Sequence, residues 1–508
     1  MIQPHPRTRP SVLGGAARAR RGRAPAGGAR AGVLLLLAAA PALAAGPDEN
    51  GRPACPAGAI RIAPGSSIQE AVERAGEGAR FCIGAGLHRM QIVTPRNAQS
   101  FVGEPGAVLD GSRRIESFTR SGRFWVAGGQ PAPFDVRGSC LAGRPCTRRA
   151  GLFLDGAPLR QVERREEMGP DTFLFDPLAG TIVLAQDPAG HVVETARAAF
   201  AFSGRAADVR IAGLVIEKYN SAAQYGAVQA AAGRGWQITH TEARHNSGAG
   251  IVLGPGATLS DSVVHHNGQL GVGGVGDGLS LLRSRIFANN THGYDPDWEA
   301  GGVKMAQART VVMRGNHVHE NHGPGLWCDI DCERVLFEDN RVEGNDGPGI
   351  FYEISRMATI RGNRLVRNGA GPRAWVWGAE IQVAASADVE VVGNDLTVAP
   401  GGHGVILVDQ GRPRARGGYY ETRGNTVHDN VTTFDAIGRS GGTSDVPAGR
   451  PQAGIIEAGG NRFDRNTYRY RSGSEPLFLW GPQMSFAGFR QAGQEAGGQI
   501  RLIGPEGP

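Results

Sequence analysis

The sequence is poor in lysine and in long apolar runs. The first shortage singles out two residues, and the second argues against membrane-spanning helices. Lys218 and Lys304 are its two lysines, although lysine and arginine together number 54. Beyond the N-terminal stretch, no apolar run is long enough to span a bilayer. The sequence also has no nucleotide-binding loop, no serine triad and no His/Cys set with zinc spacing. It therefore gives no support to a helical membrane protein, a P-loop enzyme or a zinc finger.

The first 45 residues have the pattern of a secretory signal peptide. They carry seven arginines and no acid, then an apolar core at Ala31–Ala40 and the small-residue stretch Ala42-Leu43-Ala44. Removing them leaves 47 of the 54 basic residues against 48 acids. The positive charge therefore belongs to the leader and does not indicate nucleic-acid binding. We expect a secreted or periplasmic monomer with no membrane span after signal removal.

One short phrase recurs eight times between Ala206 and Asn430. Each copy has an apolar couplet, a polar residue, five more positions and usually Asn. The later Asn recurs at steps of 21, 22, 32, 24, 23, 31 and 31 residues, is replaced once by Ala399 and ends on Asn430. A base period near 22–24 residues with longer steps is typical of a solenoid, whose insertions collect in loops.

The composition of each repeat favours strands over helices. No segment long enough for a helix has the apolar spacing of an amphipathic helix. The apolar runs are short and interrupted by glycine, as in Gly349-Ile350-Phe351-Tyr352. Three such strands in about 23 residues close one rung of a parallel β-helix. The recurring Asn can sit at the bend in a left-handed conformation, and stacked amides then form a ladder at about 4.8 Å. Ordinary Asn-Gly hairpins are the alternative.

Three segments near the start carry a family resemblance: Ser67-Ile68-Gln69-Glu70-Ala71-Val72, Ala85-Gly86-Leu87-His88 and Val108-Leu109-Asp110-Gly111. They resemble the N-terminal cap and first rungs of the right-handed parallel β-helix superfamily that includes pectate lyases and polygalacturonases. The resemblance implies an all-β, right-handed, single-stranded parallel β-helix of carbohydrate-active type. It does not fix the reaction, because one fold hosts many chemistries.

Breaks in the period suggest five segments. They are the signal peptide (1–45), an N-terminal cap and first coils (46–112), an inserted lobe of β-hairpins (113–205), the coils that carry the candidate site (206–432), and an irregular C-terminal segment and cap (433–508). A Ser67-x-x-Glu70 capping box predicts a short helix that covers the first coil. An aromatic tail is expected to cover the last, with Tyr468, Tyr470, Phe478, Trp480, Phe486 and Phe489.

The six cysteines fall into three local pairs. Since the chain has a secretory leader, Cys55–Cys82 and Cys140–Cys146 are predicted disulfides. The third pair, Cys328 and Cys332, closes a very small loop, and on an extended strand its α-carbons would be too far apart to bridge. A disulfide and two buried thiols stay equal alternatives there.

Strand alternation aligns neighbouring coils and predicts an acidic column. Asp329 lies eight residues after Asn321, and Glu353 lies eight after Asn345, so the two carboxylates are expected about 5 Å apart on one face. Repulsion should raise one of their pKa values, as acid/base catalysis requires. A solvated acidic face without catalysis is the alternative.

The same alternation sorts the flanking residues into two groups. Those expected to point inward are Val303, Met305, Leu326, Cys328, Ile330, Ile350 and Ile354. Those expected to point outward are Lys304, Trp327, Asp329, Asp331, Phe351, Glu353, Ser355, Glu380 and Gln382. The outward group would form an exposed strip of aromatics flanked by carboxylates, which suits a sugar chain.

The long step between Asn289 and Asn321 carries a loop that is expected to wall a cleft. Lys304, at its end, is interpreted as a compact, titratable charge, with chance as the alternative. Segments 298–304, 323–331 and 349–355 also resemble a recurring signature of secreted bacterial β-helix proteins, many of them presumed carbohydrate-active. The candidate substrate-binding residues are His292, Tyr294, Asp295, Asp297, Trp298, His322, Trp327, Phe351, Glu380 and Gln382.

Three functions are compatible with these residues. The first is a secreted glycoside hydrolase acting on an extracellular polysaccharide, with general acid and base among Glu299, Asp329, Asp331 and Glu353. The second is a lyase or C5-epimerase on a uronan, because residues 294–297 are similar to the aspartate-proline-histidine-aspartate motif of mannuronan epimerases, with Asp297 where that motif has His. Lys304 or His292 would then take the proton, and Ca²⁺ could neutralise the substrate; no other cofactor is implied. The third is a non-catalytic glycan-binding surface protein.

Overall fold

The chain winds into a parallel β-helix with three faces. The computed structural model describes residues 53–131, 137–147, 151–369, 375–450, 453–471 and 475–504, so the predicted leader lies outside the described residues. Neighbouring coils pair through parallel strands in register on each face. The predicted all-β parallel β-helix is confirmed.

We call the face that carries the candidate residues the site face. Its strands are Phe202–Ser203, Gly226–Gln229, Ala249–Leu253, Leu270–Asp277, the first part of Gly301–Arg314, Leu326–Asp329, Ile350–Glu353, Ala379–Ala384, His403–Asp409, Arg439–Ser444 and Leu477–Trp480, with Gln483–Met484 antiparallel at the end. The second face shares the long strand Gly301–Arg314 with the site face. Its other strands are Ile60–Ile62, Arg80–Ile83, Ser100–Gly103, Arg210–Ala212, Gln237–Thr239, Thr258–Ser260, Ser280–Leu282, Glu333–Glu338, Arg356–Arg361, Ala387–Val392, Thr426–His428 and Arg462–Asp464.

The third face is a separate parallel sheet. Its strands are Gly86–Arg89, Ala107–Asp110, Val215–Glu217, Glu242–Arg244, Val263–His265, Arg285–Phe287, His317–His319, Arg341–Glu343, Arg364–Val366, Asp395–Val398, Val431–Phe434, Thr467–Tyr470 and Gln499–Leu502. Strands thus continue the coil well past Thr433, where the sequence period fades. The α-helices are short: Ile68–Arg74, Pro296–Glu299, Ile455–Ala458 and Phe486–Gln491, with a 3₁₀ turn at Arg165–Glu167. In the described part of the chain, no helix has the length and apolar character to cross a membrane.

An asparagine ladder runs up one corner of the coil, as predicted. Each Nδ2 donates to the Oδ1 of the asparagine one coil later at 2.8–3.0 Å. Its members are Asn246, Asn267, Asn289, Asn321, Asn345 and Asn368. Each Oδ1 also accepts from the backbone N–H of the preceding asparagine, as Asn345 does from Asn321. The ladder therefore satisfies buried backbone groups as well as its own amides.

The bend is made by the residue before each asparagine. His245, His266, Ala288 and Glu320 have φ values of 50–55°, whereas the described ladder asparagines have no positive φ. The prediction that asparagine itself adopts the left-handed conformation is therefore wrong. Its side chain is used for stacking, and the preceding residue turns the chain.

A second ladder explains the irregular last steps of the repeat. Asn430 accepts from Asn394 and donates to Asn466 at 2.9 Å, so it does not follow Asn368 as predicted. The first ladder ends instead on the Glu380 carboxylate, which accepts from Asn368 Nδ2 at 2.6 Å and from its backbone N–H at 2.9 Å. The coil that ends on Asn430 is longer than the one before it, since Asn430 follows its true ladder neighbour Asn394 by 36 residues. The step of 31 residues from Ala399 therefore led to an asparagine of the second ladder.

Both ends of the coil are covered as predicted. Ser67 caps the first helix by accepting from the Glu70 N–H at 3.2 Å, and the helix buries Ile68, Ala71 and Val72. At the other end, five of the six predicted tail aromatics lie in the main core and the sixth, Tyr470, packs against it. The disulfides Cys55–Cys82 and Cys140–Cys146 are present, which is compatible with secretion. Cys328 and Cys332 are free, buried thiols.

A largely antiparallel sheet lies beside the first coils. Its strands are Ser112–Arg114, Thr119–Ser121, Phe124–Ala127, Leu152–Leu154, Ala157–Val162, Thr172–Asp176, Thr181–Leu184 and Val193–Ala196. Thr172–Asp176 pairs antiparallel with Thr181–Leu184, as the hairpin pattern predicts. Lys218 ties this sheet to the coil, because its buried ammonium lies 2.7 Å from Glu194 and 3.5 Å from Asp110.

Candidate functional site

The predicted column of carboxylates lies at the end of two neighbouring site-face strands. Leu326, Trp327 and Cys328 pair in register with Ile350, Phe351 and Tyr352. Asp329 and Glu353 directly follow the last of these pairs, so they are neighbours one strand spacing apart, about 4.8 Å. A second column beside them runs through Lys304, Trp327, Phe351 and Gln382.

Alternation holds along these strands but fails immediately after them. Val303, Met305, Leu326, Cys328 and Ile350 lie in the main core as predicted. Ile330 and Ile354 do not: both have positive φ, and both pack with Tyr420 outside that core. The prediction that they point inward is wrong, because the chain bends as soon as each strand ends.

Ser355 is a further correction, since it was expected to point outward. It is buried, its Oγ donates to the Glu353 carbonyl at 2.7 Å, and it accepts from the Cys332 N–H at 3.1 Å. It therefore belongs to the hydrogen-bonded corner of the coil and not to the outer face.

The aromatic strip lies outside the coil but is covered, so the prediction that it is exposed is wrong. Trp327 and Phe351 stack at 5.4 Å between ring centroids and are 3% and 7% exposed. They form a second apolar cluster with Val376 and, among others, Ala384. Next to this cluster, Trp375 is 46% exposed and is therefore an aromatic side chain that a ligand can reach.

Lys304 is the centre of the site. Its ammonium lies 3.0 Å from Asp329 Oδ2, 3.5 Å from Glu299 Oε2 and 3.9 Å from the centroid of the Trp327 ring. Burial alone would lower the pKa of Lys304, but the Asp329 and Glu299 carboxylates outweigh it and raise that pKa above its usual value. Lys304 therefore stays charged and fixes both carboxylates around it. Gln224 Nε2 donates to the same Glu299 oxygen, Oε2, at 2.8 Å.

Glu353 has a different electrostatic environment. Burial, followed by the charge of Asp329, raises the pKa of Glu353 to about 7. The Arg412 guanidinium opposes this shift and donates to Glu353 Oε1 at 2.8 Å. Near neutral pH this carboxyl can therefore give or take a proton.

Asp331, unlike the buried pair, is exposed. Its Oδ1 accepts from the Tyr420 hydroxyl at 2.7 Å. The burial of Tyr420 and its contact with Asp331 raise the pKa of the Tyr420 phenol, so the hydroxyl stays a donor. Asp331 thus anchors a later segment of the chain against the site.

The loop before Lys304 has a mainly structural arrangement. Tyr294 is buried in a cluster with Cys140, Cys146, Ala300 and Trp298. Asp295 caps the helix Pro296–Glu299 by accepting from the Asp297 N–H at 2.9 Å. The segment that resembles the epimerase motif thus builds a helical turn that positions Glu299.

Three other predicted residues lie away from the buried pair. His292 lines a separate cavity of about 260 Å³ together with His245 and His266. His322 is exposed and pairs with Asp346 at 2.9 Å. Glu380 was expected on the outer face, but it is fully buried at the end of the asparagine ladder, where burial raises its pKa to about 8.

Several buried polar atoms around the columns have no hydrogen-bond partner among the described residues. They are Trp327 Nε1, Asp329 Oδ1, Gln382 Nε2, Asp409 Oδ2 and Gln410 Oε1. Buried polar atoms are normally paired, so these atoms are candidates for contacts with a polar ligand. Both donors and acceptors are present, which matches a ligand rich in hydroxyl groups.

Sequence reasoning missed four parts of this site: Gln224, Asp409, the Arg412–Tyr420 segment and the pair Trp375 and Trp377. Asp409 is buried, and that burial raises its pKa to about 6. The Arg-rich, Tyr-containing stretch from Arg412 was the available signal, but no periodicity connects it to Glu353.

Within the described residues, Cys55, Cys82 and Glu104 make the one cluster with metal-binding spacing, and its sulfurs are already joined in a disulfide. The predicted role of Ca²⁺ stays a prediction.

Comparison with known proteins agrees with the architecture. A family model described as "Right handed beta helix region" matches residues 226–396. A structure of XylC in complex with xylose is 16% identical, with 81% of each chain covered and a TM-score of 0.58. No curated protein matches the sequence.

More distant structural similarity extends to two enzymes. The A-module of the mannuronan C-5 epimerase AlgE4 from Azotobacter vinelandii is 14% identical over 86% of this chain and 92% of its own, with a TM-score of 0.41. The catalytic unit of a GH87 α-1,3-glucanase from Streptomyces thermodiastaticus is 10% identical over 89% and 70%, with a TM-score of 0.42. The similarity to the XylC structure, at 16% identity, shows the fold and not the reaction. The chain therefore has the right-handed parallel β-helix fold, as its repeat predicts.

Proposed function

We propose that this protein is a secreted carbohydrate-active enzyme that cleaves glycosidic bonds in an extracellular polysaccharide. The observation that carries the proposal is the pairing of Glu353, with a pKa of about 7, and Asp329, in an ion pair with Lys304. Two adjacent carboxyls in different electrostatic environments are what acid/base cleavage of a glycosidic bond needs.

Each residue takes one role in this proposal. Glu353 donates its proton to the glycosidic oxygen as the bond from that oxygen to the anomeric carbon breaks. Asp329 attacks or activates water at the anomeric carbon through Oδ1, which has no hydrogen-bond partner among the described residues. Lys304 holds Asp329 Oδ2 and takes no part in proton transfer.

The strand spacing favours the retaining form of the reaction. The backbones of neighbouring strands are about 4.8 Å apart, so side chains that leave them in parallel can place their carboxyls at the roughly 5–5.5 Å of retaining pairs, below the roughly 6.5–9.5 Å of inverting pairs. Asp329 would then form a glycosyl ester, and water would hydrolyse it with the deprotonated Glu353 as general base. The products would be two sugar chains, one with a new reducing end of unchanged anomeric configuration.

The competing functions receive less support. A lyase or epimerase that used Lys304 as base would need a neutral amine, whereas its carboxylate neighbours keep Lys304 charged. His292, the other proposed base, lines a cavity to which neither Asp329 nor Glu353 contributes. A purely glycan-binding role was tied to a solvated, widely spaced acidic column, and Asp329 and Glu353 are instead buried neighbours.

The experiment is to incubate the purified protein with neutral and anionic polysaccharides and to analyse the products. Reducing ends without ultraviolet-absorbing unsaturated products support the proposal, and Asp329→Asn should abolish them. Unsaturated products would overturn it in favour of a lyase. Binding without any product would overturn it in favour of a glycan-binding protein. Glu73→Gln, an exposed acid on the N-terminal helix, is the control that should keep full activity.

A further inference from the structure

A basic hairpin stands next to the candidate carboxylates. Residues 412–420 read Arg-Pro-Arg-Ala-Arg-Gly-Gly-Tyr-Tyr. Tyr420 N–H donates to the Arg412 carbonyl at 2.8 Å, and Arg414 N–H donates to the Gly418 carbonyl at 3.0 Å. Gly417 and Gly418 both have positive φ, which lets the tip turn tightly. We call these residues the arginine hairpin.

Both ends of the arginine hairpin are fixed to the site. Arg412 donates to Glu353 at 2.8 Å, and the Tyr420 hydroxyl donates to Asp331 at 2.7 Å. The Tyr420 ring is also buried against Ile354 and its neighbours. The base of the hairpin is therefore held in place, and its tip is exposed.

The charges at the tip are not neutralised. Arg414 and Arg416 are exposed, and neither forms an ion pair with any residue that the structure describes. Arg414 lies over the Tyr420 ring at 4.9 Å, which orients its guanidinium. Two exposed arginines on the second face, Arg356 and Arg361, are in contrast paired with glutamates.

The acids next to the hairpin do not cancel this positive charge. Asp329 is paired with Lys304, and Glu353 with Arg412. Those two buried carboxylates therefore present little free negative charge. Asp331 is exposed and forms no ion pair with a described residue, so one free carboxylate lies near the two arginines of the tip. Tyr419, 38% exposed at the tip, adds a ring on which a sugar can pack.

We propose that the arginine hairpin binds an anionic polysaccharide and delivers it to the Asp329–Glu353 pair. Arg414 and Arg416 pair with carboxylate or sulfate groups on successive sugar units, since a guanidinium binds either anion through two parallel hydrogen bonds. This inference rests on the proposed function for the position of the cleaved bond, but the binding step does not depend on catalysis.

Binding is measured by titration calorimetry with polygalacturonate, a sulfated galactan and a neutral galactan. The wild-type protein is used, or Asp329→Asn where products form, because no hydrogen bond or ion pair joins Asp329 to the hairpin among the described residues. The test variant is Arg414→Gln/Arg416→Gln. Its matched control is Arg469→Gln/Arg501→Gln, two exposed arginines on paired strands of the third face.

We expect an anionic chain to bind at least about tenfold more tightly than the neutral one, and the test variant to lose about tenfold in affinity. The control should bind like the wild type, and added salt should weaken binding of the wild type more than that of the test variant. The better of the two anionic chains identifies the recognised group as carboxylate or sulfate.

Equal binding of neutral and anionic chains, or an unchanged affinity in the test variant, would overturn the inference. Absence of binding to all three chains would overturn it too. These outcomes are separable from the proposed function: cleavage of a neutral chain alone would keep the hydrolase and remove the anionic substrate. Binding of an anionic chain without any product would keep the role of the arginine hairpin and remove the proposed hydrolase.

Discussion

Replacing Glu353 with glutamine should remove a pH-dependent loss of stability. Burial and the charge of Asp329 raise the pKa of Glu353 from 4.5 to about 7 in the folded protein. Below pH 4.5 the carboxyl is protonated in both the folded and unfolded states, and its contribution to stability is fully present. Between about pH 4.5 and 7 the unfolded state releases the proton while the folded state keeps it, so stability falls as the pH rises.

The size of the effect follows from the shift. A difference of about 2.5 pKa units, at about 1.36 kcal/mol per unit, corresponds to on the order of 3 kcal/mol. Wild-type protein should therefore lose on the order of 3 kcal/mol more unfolding free energy between pH 4.5 and pH 8 than Glu353→Gln does. Other titrating groups contribute to both proteins and cancel in the comparison.

Urea unfolding at the two pH values, followed by tryptophan fluorescence and by circular dichroism, measures this difference. Both signals are needed because a solenoid can unfold in more than one step. Glu73→Gln is the control and should lose stability with pH as the wild type does. If Glu353→Gln and the wild type lost the same stability, Glu353 would not be the buried, late-titrating carboxyl described above.

Three further predictions concern the core of the site and the coil. Lys304→Met should lower the unfolding free energy by about 3–5 kcal/mol, because it leaves Asp329 as a buried carboxylate without its cation. Urea unfolding measures this loss, and a loss below about 1 kcal/mol would contradict the prediction. Asn345→Ala should cost about 2–5 kcal/mol, since it removes an acceptor for two buried N–H groups of the preceding coil; thermal unfolding that matches the wild type would refute the ladder's role. Cys328 and Cys332 should react with a thiol reagent only after unfolding, because both are buried; rapid labelling of the native protein would show that this strand opens.

The parts of the fold that repeat were predictable from the sequence. Spacing alone placed Asp329 beside Glu353, because a parallel coil with a constant corner residue preserves register from one turn to the next. The same rule failed at Asn430, where an insertion shifted the apparent period onto the second ladder. Spacing can therefore locate neighbours only while no insertion separates them.

Features that depend on contacts between distant segments were not predictable. Arg412 and Glu353 are 59 residues apart, and Tyr420 and Asp331 are 89 apart, so no local pattern connects either pair. Trp327 was expected in solvent because alternation predicts the face of the strand from which a side chain points. It does not predict whether another segment covers that side chain, and a later segment covers Trp327. The prediction that Ile330 and Ile354 point inward failed because each has a positive φ, which ends the strand before it.

Lysine usage links the composition to the site. Both lysines of the chain are buried among carboxylates, Lys218 beside Glu194 and Lys304 beside Asp329. Arginine, in contrast, forms most of the exposed ion pairs of the coil, such as Arg283 with Asp261. A compact ammonium fits these buried places better than a planar guanidinium. This favours a selected role for Lys304 over chance.

The pH dependence of kcat/KM on a cleaved polysaccharide tests the account most directly. If Glu353 is the general acid, wild-type activity should fall as the pH rises through about 7, where Glu353 loses its proton. Glu353→Gln, confirmed as folded by circular dichroism, should be about 10²–10⁴-fold slower and should lack that fall. A Glu353→Gln protein as active as the wild type, with the same pH profile, would contradict the assignment of the paired carboxyls as the catalytic centre.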